Sequence, residues 1–148
     1  MKISSLGNLK KIAQQIKKKI KVGHTILLYG DIGVGKTTFT RFLINSMISK
    51  KKKIEVLSPT FNIVMDYMIN KINIRHFDLY RLKKKEDLIN IGIFENLEQS
   101  LTIVEWPEII KKKPKNRIEL YFKYSKDKEK RYLKLLKFGN LKKHEFRL

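Results

Sequence analysis

Apolar residues recur along the chain at two different spacings, and these spacings predict its helices and strands. A first helical pattern covers roughly residues 8–20, where apolar positions are three or four residues apart. A second helix follows a glycine-rich loop and ends near Lys50. The apolar positions of the two helices are Leu9, Ile12, Ala13, Ile16 and Ile20, then Phe39, Phe42, Leu43, Ile44 and Met47.

Short apolar runs predict strands. Thr25–Tyr29 is bounded by glycines and is too short for a helix, so we expect a buried strand there. Leu101–Glu105 is equally apolar and stops before Pro107, which predicts a second buried strand. Ile54–Leu57 is expected to form a further strand. Residues 84–97 have a helical pattern that breaks at Gly92.

Two pairs of strand-like runs predict hairpins. Phe61–Met68 and Ile72–Phe77 are joined by only three residues, which favours an antiparallel hairpin over a crossover. Arg117–Tyr124 and Arg131–Phe138 form a second hairpin, with its turn near Asp127 and Lys128. With no internal repeat or linker, residues 1–148 are expected to form one α/β domain.

Composition narrows the class of protein. The chain has 148 residues, of which 42% are hydrophobic, and this fits a folded domain. It contains no cysteine, which excludes disulfides, thiolate metal sites and a cysteine nucleophile. No apolar run approaches the roughly 18–20 residues that cross a bilayer. We therefore expect a cytoplasmic protein without membrane contact.

The charge balance is strongly basic, with 34 Lys and Arg against 14 Asp and Glu, a net charge of +20. Such a charge is typical of proteins that contact RNA phosphates. It is equally typical of an AT-rich genome, which enriches lysine, isoleucine and asparagine together. Because the lysine runs fall at predicted helix ends and turns, a solvated surface is favoured, and contact with RNA stays open. The runs are Lys17–Lys19, Lys50–Lys53, Lys83–Lys85, Lys111–Lys113 and Lys142–Lys143.

The glycine-rich loop carries the most specific signal. Gly30 to Thr37 match the pattern Gly-x-x-x-x-Gly-Lys-Thr, and the match follows a predicted strand and opens a predicted helix. In such a loop backbone N–H groups surround phosphates, the lysine binds the β- and γ-phosphates and the threonine hydroxyl can bind Mg²⁺. The fold is therefore expected to be a P-loop NTPase-like three-layer sandwich around a mixed sheet with antiparallel hairpins. The expected nucleotide contacts are Gly33, Val34, Gly35, Lys36, Thr37 and Thr38.

The nucleotide is expected to be ATP. GTPases recognise guanine through Asn-Lys-x-Asp, and the nearest string here is Asn70-Lys71-Ile72-Asn73, which lacks the aspartate and lies in a predicted hairpin.

Two carboxylates follow predicted strands. Asp78 comes after Ile72–Phe77, and Glu105 ends Leu101–Glu105, so both are expected at the carboxyl ends of strands, where ligands bind in open α/β sheets. Glu105 is the better candidate for binding Mg²⁺ because its strand is more uniformly apolar. Either residue could instead be a capping or surface acid. From the residues alone, Trp106 favours a core position and Thr60 a simple turn, and no histidine shows metal-ligand spacing.

Four segments together resemble the bacterial TsaE family, also called YjeE. They are Gly30-Asp31-Ile32-Gly33-Val34-Gly35-Lys36-Thr37-Thr38, Ser58-Pro59-Thr60-Phe61, His76-Phe77-Asp78-Leu79-Tyr80-Arg81-Leu82 and Val104-Glu105-Trp106-Pro107-Glu108. The resemblance covers residues 5 to about 110. It implies a partner-dependent ATPase that supports the TsaD and TsaB proteins in threonylcarbamoyl transfer to the tRNA adenosine following the anticodon.

The resemblance also assigns roles to residues. It places Mg²⁺ on Thr37 and Glu105, a catalytic or switch role on Asp78, and Thr60 in a switch-like loop. Loss of Lys36 or of Glu105 is expected to abolish turnover, so both are counted with Asp78 as catalytic residues. It places Trp106 beside the nucleotide, and Ser5, with Ser4, in an N-terminal segment that matches weakly. Asp66 stands where the family often has glutamate, and residues past about 115 carry no family motif.

Two other functions fit the same loop. A small-molecule kinase would need an arginine-bearing lid over the phosphates, and the six arginines are dispersed. An RNA-binding module with a vestigial nucleotide site would explain the charge, but not the intact Lys36, Thr37 and Glu105.

Overall fold

The computed structural model describes residues 2–3, 5–48, 54–127 and 130–146. Within these ranges a seven-stranded mixed sheet forms the middle layer. Its strands are β1 (Lys2–Ile3), β2 (Thr25–Tyr29), β3 (Val64–Ile69), β4 (Ile72–Asp78), β5 (Ser100–Glu105), β6 (Arg117–Tyr124) and β7 (Arg131–Lys137). Their order across the sheet is β1-β7-β6-β2-β5-β4-β3.

The four central strands run parallel, and the outer strands are antiparallel to their neighbours. All six residues of β5 are buried, as are the first four of β2, which suits parallel strands that are covered on both faces. Because β2, β4 and β5 are parallel, their carboxyl ends lie at one edge of the sheet. The loop after β2 and the last residues of β4 and β5 therefore meet there.

Helices cover both faces of the sheet. α1 (Leu6–Lys17) and α2 (Lys36–Met47) lie on one face, where their apolar sides pack against alternate residues of the central strands. On the other face lie the short α3 (Glu86–Asn90) and the 3₁₀ turns Leu97–Gln99 and Pro107–Ile109. There Leu88, Ile93 and Ile110 pack against Leu27, Phe77 and Val104. The expected three-layer α/β sandwich with a mixed sheet is confirmed.

The strand expected at Ile54–Leu57 is wrong. Residues 54–59 are irregular, and Val56 is buried while Ile54 and Leu57 are more exposed. The Val56 carbonyl accepts a hydrogen bond from Arg41 Nε at 2.7 Å, so a side chain satisfies this backbone group in place of a neighbouring strand. The expected lysine run at 50–53 lies outside the described residues.

Other boundaries shift by a few residues. α1 ends at Lys17, before the predicted end at 20, and β3 begins only at Val64 because residues 60–63 form a turn. The predicted break at Gly92, which has φ +62, is confirmed, but only Glu86–Asn90 of residues 84–97 is α-helical. Both predicted hairpins are found, and Lys128 of the second turn is not among the described residues. No helix in the described ranges is long and apolar enough to span a bilayer.

Candidate functional site

The phosphate-binding loop connects β2 to α2 in a tight turn. Gly30 has φ +131, and a Cβ atom there would lie 2.4 Å from the carbonyl oxygen of Phe122 on β6. Only glycine allows this approach. Gly35, with φ +118, directly precedes α2, and its carbonyl accepts the Phe39 N–H at 2.9 Å. The loop therefore presents the positive N-terminal end of α2 to its own concave side.

The side chain of Lys36 lies across the loop and is almost fully buried. Its ammonium donates to the carbonyl oxygens of Gly30 and Asp31, the latter at 2.9 Å, and lies 3.7 Å from the centroid of the Trp106 ring. Burial lowers the pKa of Lys36, and the nearby carboxylate of Glu105 opposes this effect. The site thus holds a largely desolvated cation, which would gain strongly from an anionic ligand.

The half-buried Thr37 and the buried Glu105 and His76 form a chain of hydrogen bonds. Thr37 Oγ1 donates to Glu105 Oε2 at 2.8 Å, and His76 Nε2 lies 2.9 Å from Glu105 Oε1. A hydroxyl and a carboxylate side by side are the oxygen ligands that Mg²⁺ prefers, so these residues fit that ion. The described residues contain no cluster of three or more His, Cys, Asp or Glu, so nucleotide and water oxygens would complete the coordination.

The Asp78 carboxylate accepts hydrogen bonds from the loop that precedes β3. Thr60 Oγ1 donates to Asp78 Oδ2 at 2.9 Å and Ser58 Oγ to the same oxygen at 3.2 Å, while the Tyr80 N–H donates to Oδ1 at 3.0 Å. Asp78 is paired in register with Glu105 on the adjacent strand. The two carboxylates therefore stand next to each other at the edge that the sequence predicts.

Trp106 adopts a left-handed backbone conformation, with φ 57° and ψ 54°. This conformation is uncommon for a bulky residue and marks a strained position. It places the partly exposed indole over Lys36 and beside Tyr80, whose ring centroid is 4.8 Å away. The core position favoured from the residues alone is therefore found only in part, since the half-buried indole packs against the core cluster that contains Phe77 and Val104.

Most of the predicted site residues line one cavity of about 260 Å³. They are Gly33, Gly35, Lys36, Thr37, Thr38, Thr60, Asp78, Glu105 and Trp106. Val34 and Ser5 do not line it: Val34 packs its side chain into the core, and Ser5 Oγ caps α1 by accepting the Asn8 N–H at 3.1 Å. Both instead line an adjoining cavity of about 200 Å³, which shares Gly33, Gly35 and Thr38 with the first. Ser4 lies outside the described residues.

Several residues at the site were not predicted, among them Ser58, His76 and Arg131. Ser58 belongs to the same Ser-Pro-Thr segment as the predicted Thr60. His76 lies two residues before Asp78, and strand alternation puts the two on the same face of β4, which could have indicated His76. Arg131, which lines the second cavity, has no such signal. It reaches the loop only because β7 is placed beyond β6 in the sheet.

Comparison with known proteins places this chain in a family. Residues 3–133 match the family model described as threonylcarbamoyl adenosine biosynthesis protein TsaE. The chain is 38% identical over 109 residues to the tRNA threonylcarbamoyladenosine biosynthesis protein TsaE of Rickettsia conorii, covering 74% of this chain and 61% of that protein. It is 31% identical over 123 residues to the Bacillus subtilis protein of the same name, covering 82% and 75%.

A solved structure has the same fold. The crystal structure of Bacillus subtilis YdiB superposes with a TM-score of 0.74 at 26% identity, covering 95% of this chain and 85% of that one. The match over residues 3–133 includes all four segments on which the resemblance rests. This chain belongs to the TsaE family, which is involved in the biosynthesis of threonylcarbamoyladenosine in tRNA.

Proposed function

We propose that this protein is a cytoplasmic, magnesium-dependent ATPase that supports threonylcarbamoyl transfer to tRNA by the TsaD and TsaB proteins. The observation that carries the proposal is the contact between Thr37 Oγ1 and Glu105 Oε2, 2.8 Å apart, directly beside the buried Lys36. A phosphate loop, its hydroxyl and a strand-end carboxylate are the parts that nucleotide hydrolysis requires on this fold.

The two adjoining cavities would bind different parts of ATP. The phosphates would lie in the cavity of about 260 Å³ at the loop, which we call the phosphate cavity. There the Lys36 ammonium would donate to phosphate oxygens in place of the carbonyl oxygens of Gly30 and Asp31. The ribose and base lie in the second cavity, between Ser5 and Arg131. Thr38 lines both cavities and is placed at the junction between them.

Thr37 and Glu105 would hold Mg²⁺ in this proposal, and a bound ion would supply positive charge beside the phosphates. Asp78 orients the attacking water and keeps Ser58 and Thr60 turned toward the phosphate cavity through their hydroxyls. Removal of the Asp78 carboxylate would therefore break its hydrogen bonds to Ser58 and Thr60 and would leave the attacking water without its orienting group.

Exposed apolar side chains around the site support dependence on a partner. Phe61 is 80% exposed, Ile32 is 65% exposed and Tyr80 is 52% exposed. Ile32 and Tyr80 line the phosphate cavity, and Phe61 follows Thr60 directly. A partner protein that covers these side chains would bury apolar surface and exclude water from the phosphates. Turnover without partners is therefore expected to be slow.

ATP turnover tests the proposal when it is measured alone and with purified TsaB and TsaD. Stimulation by the pair that disappears in Glu105→Ala would support both the site and the partner. Glu86→Ala, which removes an exposed carboxylate on α3, is the matched control and should keep the stimulation. Fast turnover without partners would contradict partner dependence, and a phosphorylated acceptor formed in step with ADP would favour the kinase.

A further inference from the structure

The sheet has one face region that no helix of the described chain covers. Along β6 and β7 the residues Ile118, Leu120, Phe122 and Leu133 point into the core beneath α1 and α2. Alternation along each strand turns the intervening residues to the opposite side. Tyr132 is 41% exposed there, and Lys123 and Lys134 are exposed as well.

Strand register arranges tyrosines and lysines in alternation on this side. Tyr132 is paired with Lys123 on one flank and Lys2 on the other, which forms one row across three strands. In the next row Lys134 is paired with Tyr121, which is paired in turn with Tyr29. We call the exposed or half-exposed residues Lys2, Tyr121, Lys123, Tyr132 and Lys134 the tyrosine–lysine face.

One of the two rings on this face, that of Tyr121, is held in a fixed orientation. Tyr121 stacks on Tyr29 with ring centroids 4.4 Å apart and planes inclined by 6°. The Tyr121 hydroxyl donates to Glu119, and burial together with this carboxylate raises the pKa of Tyr121 to about 12, so the ring stays neutral. Tyr121 therefore forms a rigid aromatic platform at the level of the sheet.

The only carboxylate in β1, β6 and β7 is buried. Glu119 is the only acidic residue in β1, β6 and β7, and it is 2% exposed. Its Oε1 pairs with Arg117 Nε at 2.7 Å and with Lys113 Nζ at 3.3 Å. Consequently no acidic side chain of these strands opposes the positive charge of Lys2, Lys123 and Lys134.

We propose that the tyrosine–lysine face binds RNA that contains unpaired bases. Lysines spaced around aromatic rings on an open sheet match what such RNA presents, since phosphates pair with the ammonium groups and unstacked bases pack on the rings. The net charge of the whole chain does not predict this arrangement, because strand register alone brings these tyrosines and lysines to one face. The proposal does not depend on ATP hydrolysis.

Binding of a fluorescent RNA stem–loop, compared with a blunt RNA duplex of equal length, tests this proposal. The variant Lys123→Glu/Lys134→Glu should weaken stem–loop binding about tenfold or more at low salt. Lys10→Glu/Lys11→Glu is the matched control, since it makes the same charge change at exposed positions of α1, on the opposite face of the sheet. It should weaken binding by less than about threefold.

The tyrosines are tested separately. Tyr132→Ala should reduce stem–loop binding about fivefold or more and leave duplex binding nearly unchanged, because a base loses its stacking partner. All variants are compared by thermal melting, and Lys123→Gln/Lys134→Gln replaces the glutamate pair if that pair fails to fold. Equal losses in the two lysine pairs would overturn the proposal, as would equal binding of stem–loop and duplex. Binding to phosphatidylserine vesicles in place of RNA would overturn it too.

Discussion

His76 and Glu105 lie on neighbouring strands with the imidazole Nε2 2.9 Å from the carboxylate Oε1, and both side chains are buried. The other carboxylate oxygen accepts the Thr37 hydroxyl. Each oxygen of Glu105 thus has one partner, and the histidine determines which oxygen faces the loop. We regard His76 as a positioning residue for Glu105 because it lies against the carboxylate and does not line the phosphate cavity.

Replacing His76 with leucine should leave one oxygen of a buried carboxylate without its partner. We expect a loss of about 1–3 kcal/mol in the free energy of unfolding, together with a weaker effect of Mg²⁺ on ADP affinity. Urea unfolding and calorimetric titration with and without Mg²⁺ measure the two effects. His76→Gln, whose amide can donate to the same oxygen, should recover the Mg²⁺ effect. If both variants lose stability but keep the full Mg²⁺ effect, the residue is only structural.

Trp106 should report nucleotide binding by fluorescence. It is the only tryptophan, and the Lys36 ammonium lies 3.7 Å from its ring centroid, so withdrawal of that charge toward phosphates would change its emission. Titration with ADP and Mg²⁺ is the measurement. Lys36→Met should abolish the response and weaken ADP binding roughly 10- to 100-fold, as for a lost hydrogen bond to a charged group. An unchanged emission alongside calorimetric binding would contradict the placement of the phosphates.

Gly30→Ala should destabilise the fold whether or not nucleotide is present. The added Cβ would meet the Phe122 carbonyl oxygen at 2.4 Å, and φ is +131. We expect a loss of about 2 kcal/mol or more in urea unfolding. Gly7→Ala is the control: its Cβ meets only Ser5 Oγ, at 3.6 Å, and alanine favours the helix by up to about 1 kcal/mol. Similar effects from the two substitutions would show that the loop is not packed against β6 as described.

Glu119 should make the stability of the protein depend on pH. Burial alone would raise its pKa, but hydrogen bonds from Tyr121, Arg117 and Lys113 outweigh burial and hold the pKa below the usual 4.5. A carboxyl whose folded pKa is lowered stabilises the fold above its unfolded pKa and loses this contribution as pH falls through the folded value. Glu119→Gln should therefore lower stability at neutral pH and flatten its decline below about pH 4.5. Unfolding curves at several pH values measure this, with the exposed Glu86→Gln expected to change little.

Parts of the fold that depend on local pattern could be predicted from the sequence. β5 is buried at every position because both faces of the sheet are covered, and its apolar residues Leu101, Ile103 and Val104 mark it in the sequence, so its limits differ from the prediction by one residue. Asp78 and Glu105 could be placed together because parallel strands end at one edge. Ile54–Leu57 has the composition of a strand, yet its backbone partner is the side chain of Arg41, which no local pattern reveals.

Contacts between strands that are distant in the sequence could not be predicted from the pattern of apolar residues. Arg131 is remote from Gly33 in sequence, and only the order of β6 and β7 brings it to the second cavity. The tyrosine–lysine face arises from register in the same way, since a shift of one residue would send Tyr132 and Lys134 to the buried side. The general lysine excess could be read from composition, but its local arrangement with tyrosines could not.

The irregular segment 54–63 is attached to the molecule mainly through side chains, by Arg41 to Val56 and by Asp78 to Ser58 and Thr60. The amides of β2 and β5, in contrast, belong to strands that are paired on both sides. Hydrogen exchange in the segment can therefore proceed by local opening, whereas exchange in these strands requires unfolding of the sheet. A nucleotide bound in the phosphate cavity would therefore slow hydrogen exchange first in this segment. Because Phe61 belongs to the segment, its exposed ring would become more ordered at the same time. In the proposed function, a partner protein that covers Phe61 would sense the bound nucleotide through this segment.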